Sequence, residues 1–96
     1  MLLWVIYDIS NDKIRSKVSK TCLNYGLYRV QKSVFLGEVE SNSLDELKIL
    51  LEDTIDMDID SVYVFPMSKD ELNKAGLIGQ AFDKELVSDE IVSKFF

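Results

Sequence analysis

Few residues in this chain can do chemistry. There is no histidine and only one cysteine, Cys22, which excludes Ser-His-Asp triads, Cys-His nucleophiles, histidine-rich zinc sites, internal disulfides and multi-cysteine clusters. Carboxylates, hydroxyls, basic side chains and a borrowed metal ion remain. Among the carboxylates Asp8 stands apart, because it abruptly ends the apolar run "LLWVIY". Two readings fit it. It marks where a buried strand leaves the core, or it takes part in the carboxylate chemistry that so small an inventory allows. The alternating aspartates of "DMDID" at 56–60 have the spacing of a calcium loop. They lack the glycine and the distal glutamate of the EF-hand, so a solvated connection is the expectation.

The basic residues are unevenly placed. The net charge is −6, yet residues 1–37 carry six Lys/Arg against two acids, a local +4. Residues 38–96 carry five against fifteen, a local −10. Such a split suits a polyanion-facing surface at the front of an otherwise acidic chain; a solvated helix face gives the same statistic. Lys13, Lys17 and Lys20 fall within about 60° on a helical wheel, with Arg15 on another flank.

These side chains must be positioned by elements that the hydrophobic pattern reveals. Residues 2–7 read as a strand apolar on both faces, Leu3, Val5 and Tyr7 pointing one way and Leu2, Trp4 and Ile6 the other. Ser10, Asn11 or Asp12 can cap a helix whose stripe is Ile14, Val18, Cys22 and Tyr25, and Gly26 suits its left-handed stop. In "LYRVQKSVFLGEVE" one straight strand would place Lys32 among Tyr28, Val30, Val34 and Leu36. A turn or bulge at 31–33 removes that conflict, which predicts two short strands. Ser43 with Glu46 forms a capping-box pattern before a second stripe of Leu44, Leu47, Leu51 and Ile55. "SVYVFPM" is a further strand, and Pro66 predicts that it ends, or becomes a sheet edge, there.

The order β-α-β-β-α-β predicts an α+β, ferredoxin-like domain over residues 1–67, with two helices on one face of an antiparallel sheet. That layer covers one sheet face only, so a second copy is expected on the other. Residues 68–96 form an extension: a short helix capped by Ser68 and Glu71, a very short strand at "GLIG", and a terminal arm at 88–96, expected to pack on the partner. No apolar run approaches the roughly 18 residues that span a bilayer, and charges follow the first apolar run at once, so neither membrane nor leader is expected and the location is expected to be cytoplasmic.

"YDIS" closing the first strand, "RVQKSVFLGEV" after the first helix and "DSVYVFPM" in the last strand together resemble the CRISPR-associated adaptation family often called "Cas two". The likeness runs over residues 2–67 and more loosely to "GLIG". It implies a ferredoxin-fold homodimer, a metal-dependent (Mg²⁺ or Mn²⁺) endonuclease on RNA or DNA, and a component of the spacer-integrating complex with the integrase "Cas one". It also implies that Asp8 is the metal-binding and catalytic aspartate. Ser10, Arg29, Ser33 and Phe35 would lie near the same cleft, with Lys13, Arg15 and Lys17 approaching phosphates. The residues themselves leave alternatives open: Phe35 as dimer core, Arg29 paired with an acid, Ser33 as a turn former. "KSVFLGEV" lacks the aromatic signature of an RNA-recognition motif, and "GLIG" lacks the Gly-Lys-Ser/Thr ending of a phosphate loop. Two functions therefore compete, a metal-dependent phosphodiesterase and a non-catalytic scaffold holding duplex DNA against an integrase. A regulatory dimer without nucleic acid is a third.

Overall fold

The computed structural model describes residues 1–76, 78 and 79. The elements run β1 (Leu2–Asp8), α1 (Asp12–Asn24), β2 (Tyr28–Gln31), β3 (Val34–Glu38), α2 (Leu44–Thr54), β4 (Ser61–Met67) and α3 (Lys69–Lys74), with a 3₁₀ turn at Ser41–Ser43. The sheet order is β2-β3-β1-β4, antiparallel throughout. The ferredoxin-like arrangement expected from the hydrophobic pattern is thus formed. β4 is an outer strand, where Pro66 removes no interior ladder bond.

Period-two alternation divides β1 between two cores. Leu3, Val5 and Tyr7 face α1 and α2, packing with Val18, Cys22, Phe35, Leu47 and Leu51. Leu2 and Trp4 face the other way and pack with Val30, Leu36 and Leu72. The second copy expected on this face is not needed to cover all of it. The short helix α3 folds back and buries Leu72 against it, while the Trp4 indole donates to the Met67 sulfur at 3.3 Å. Aromatic surface on this face stays open on β4, where Tyr63 and Phe65 are 53% and 47% exposed with rings stacked at 6.2 Å, and at Tyr28 of β2, which is 40% exposed.

Local signals mostly behave as their chemistry dictates. Asn11 caps α1 by accepting from the Ile14 N–H at 3.0 Å. Gly26 ends it at φ 85, with Leu27 N–H donating to the Cys22 carbonyl and Gly26 N–H to that of Leu23, a Schellman motif. The strand break predicted at 31–33 is a two-residue turn, Lys32 and Ser33, with a register shift between Arg29 and Gln31, and Val30 packs in the second core. The Ser43 capping box does not form. The 3₁₀ turn leaves Ser43 at φ −89, ψ −13, in helical rather than extended backbone, and its side chain makes no cap bond. The Ser68–Glu71 box does form, and its bonds hold the Glu71 carboxyl below its ordinary pKa. In the acidic turn Asp60 is buried rather than solvated, and its Oδ2 accepts from the Asp56 N–H at 2.9 Å. The strand predicted at "GLIG" includes Leu77, outside the described residues; Gly76, Ile78 and Gly79 are not in a strand. The predicted arm at 88–96 also lies outside the described residues. Among those described, no helix is long and apolar enough to cross a membrane.

Candidate nucleic-acid interface and metal site

A groove of about 990 Å³ opens between α1 and the β2–β3 turn. Arg15, Ser16, Ser19 and Lys20 come from α1, spaced three to five residues apart or adjacent so that they share one flank of the helix. Arg29, Lys32 and Ser33 come from the hairpin, and Tyr7 from the end of β1. Asp12 is the one carboxylate in this lining, set against four basic side chains. A concave surface with that balance concentrates positive potential and favours an anionic ligand.

Each cation is held differently. Arg15 is tied to its own helix start, pairing with Asp12 through Nη2 and donating Nη1 to the Ile9 carbonyl at 3.1 Å. Arg29 has no carboxylate within ion-pair distance among the described residues, so the acidic neighbour allowed by sequence is not there. Its guanidinium lies 5.3 Å from the centroid of the Phe35 ring, donates Nη2 to Ser19 Oγ at 2.5 Å, and keeps Nε buried without a partner among the described residues. Ser33 makes the turn and also lines the groove, so both roles considered for it are combined. The turn is secured from β1: Tyr7 N–H donates to the Ser33 carbonyl at 3.1 Å and Tyr7 Oη to that of Lys32 at 3.3 Å.

The expected site residues are therefore divided. Arg15, Arg29 and Ser33 come together. Lys13 and Lys17 are exposed on a neighbouring flank of α1, with Lys20 belonging to both sets, and Ser10 is exposed just before the helix cap. Phe35 is corrected as a contact residue: it is 0% exposed in the helix-facing core, so no external base can stack on it, and its part is to support Arg29. Tyr7, Ser16, Ser19, Lys20 and Lys32 were missed as groove residues. Lys20 and Lys32 gave a signal in sequence, as members of the basic first third, and the others depend on how α1 crosses the sheet.

Asp8 is not part of this lining. It ends β1 opposite Ser61, is exposed, and by strand alternation projects from the face opposite to Tyr7. Among the described residues no group of three His, Cys, Asp or Glu side chains could hold a metal ion. Asp8 thus belongs to no such group within a single chain, and one carboxylate fits a fraction of a magnesium shell and not a complete protein site.

The family model for "CRISPR associated protein Cas2" matches residues 1–75. The chain belongs to the Cas2 family. That match takes in every element from β1 to α3, the groove and Asp8, and stops one residue before "GLIG". Among curated Cas2 relatives, the "CRISPR-associated endoribonuclease Cas2" of Korarchaeum cryptofilum is 34% identical over 76 residues, 79% of this chain and 82% of that protein. The "CRISPR-associated endonuclease Cas2" of Halalkalibacterium halodurans is 36% identical over 84 residues, 82% of this chain and 86% of that protein. The crystal structure of Streptococcus pyogenes Cas2 at pH 6.5 superimposes with a TM-score of 0.70 at 30% identity, covering 82% of this chain and 100% of that one.

Proposed function

We propose that this Cas2-family protein is a metal-dependent endonuclease that binds RNA or DNA along the α1–hairpin groove and works as a homodimer in spacer acquisition. The observation that carries the binding half is Arg29, a half-buried cation without a carboxylate partner among the described residues, in a groove lined by three further basic side chains. The names of the Korarchaeum and Halalkalibacterium relatives, an endoribonuclease and an endonuclease, support the cleavage half. Asp8, repeated in a second copy, would supply two carboxylates to Mg²⁺ or Mn²⁺. The ion's contribution would be charge that polarises a phosphodiester or activates water, chemistry that needs no histidine. The chain's own cations bind and orient the backbone.

Asp8 and the groove project from different faces of the sheet, which favours a second reading: a scaffold that holds duplex DNA beside an integrase partner and does not cut. Metal titration separates the two. For the enzyme, labelled RNA or DNA is cleaved with Mg²⁺ or Mn²⁺ and only bound in chelator. For the scaffold, binding is the same in both buffers and the nucleic acid stays intact.

A further inference from the structure

Ser19 sits in the middle of α1 and is 9% exposed. A serine there is a poorer helix former than alanine and brings a polar oxygen into a packed region, so the hydroxyl calls for a partner. That partner is not the backbone of its own helix turn, a common choice for helical serines. Its Oγ accepts from Arg29 Nη2 at 2.5 Å, joining the helical wall of the groove to the hairpin wall. On its other side the guanidinium rests over Phe35, whose ring stacks in turn on Tyr7 at 6.2 Å. Arg29 is thus fixed by a hydroxyl and a ring face, neither of which neutralises its charge.

We propose that Ser19 is the positioning residue for Arg29: its hydroxyl fixes the guanidinium plane so that the charge meets a nucleic-acid phosphate already oriented. This rests on the reading of the groove as a nucleic-acid surface. An arginine side chain held before binding loses less rotamer freedom on contact, and a charged hydrogen bond is among the stronger means of holding it. Ser19 itself touches no phosphate. Its effect passes entirely through Arg29.

The test is a double-mutant cycle of Ser19→Ala and Arg29→Ala, with a labelled duplex DNA and a labelled RNA as probes in chelator. Cooperative thermal unfolding of each variant establishes that it is folded. Ser19→Ala is expected to weaken binding about fivefold to tenfold in the wild-type background, and to have no further effect once Arg29 is alanine. Ser19→Thr, which keeps the hydroxyl, restores affinity. A second readout needs no ligand: the Arg29 side-chain N–H resonances, slowed by the anchored plane in the wild type, average in Ser19→Ala. Unchanged affinity in Ser19→Ala with a loss in Arg29→Ala overturns the positioning role and leaves the groove reading intact. Equal weakening in both backgrounds also overturns it, since Ser19 then acts by another path. Unchanged affinity in Arg29→Ala overturns the groove reading itself.

Discussion

Arg29 and Lys32 stand at the mouth of the groove on the hairpin, while Lys13 and Lys17 project from a neighbouring flank of α1. If the groove is the main backbone-binding surface, replacing Arg29 and Lys32 together by alanine lowers the log-log salt slope for duplex DNA by roughly 0.9 for each phosphate no longer neutralised. Replacing Lys13 and Lys17 lowers it less. Anisotropy titrations across a salt series check both, and equal losses would put the interface along the whole helix. Cys22 shows the opposite use of a polar atom near Arg29. Burial pushes its thiol from 9.0 up to about 12, with Arg29 pulling weakly the other way. The folded state therefore binds a proton that the unfolded state releases above pH 9, so this contribution to stability is complete below pH 9 and declines as pH rises toward 12. Urea midpoints in Cys22→Ala should fall less steeply over that alkaline window than in the wild type. The native thiol should also stay inert to a disulfide reagent at neutral pH, reacting only on unfolding.

Gly37 on β3 decides how closely the sheet approaches the turn after α1. A Cβ there would lie 2.9 Å from both the Gly26 carbonyl oxygen and Leu27 Cα, backbone atoms that cannot swing aside. Gly37→Ala should cost about 1–3 kcal/mol, read as a lower urea midpoint with unchanged slope. The elements were legible in sequence because their signals are local. Ile14, Val18 and Cys22 repeat at helical spacing, Gly26 stops the helix, and a misplaced Lys32 betrays the hairpin turn. The Ser43 box failed because a capping pattern does not reveal whether the preceding residues are extended, as at Ser68, or already coiled into a 3₁₀ turn. The placement of α3 was not legible either. Leu72 is a lone apolar residue in "KDELNK", too short for a stripe, and only the structure shows it reaching Trp4 and Leu36. The groove was half legible for the same reason: Arg15, Arg29 and Ser33 carry charge or turn chemistry, whereas the meeting of Ser19 with Arg29 joins two different elements and no spacing encodes it.

With α3 covering Leu2, Trp4 and Leu36, the surface left for a second copy centres on Tyr63 and Phe65 of β4, beside half-buried Ile6. Exposed stacked rings at a sheet edge are the kind of patch that association removes from water. Light scattering after gel filtration should give a dimer for the wild type and a monomer for Tyr63→Lys with Phe65→Lys. A double variant that stays dimeric would move the interface elsewhere. Under the proposed function dimerisation matters to the chemistry, because Asp8 of one chain would give a divalent ion one carboxylate and Asp8 of a second copy would bring the count to two. Asp8→Asn removes both charges at once from a homodimer, and Asn is nearly isosteric, so the fold and the groove should be untouched. The decisive measurement is cleavage of labelled RNA and DNA by wild type and Asp8→Asn, purified identically and assayed at equal Mg²⁺ or Mn²⁺. Cleavage should disappear in Asp8→Asn while binding in chelator is retained; equal cleavage by the two proteins would contradict a metal-dependent nuclease built on Asp8.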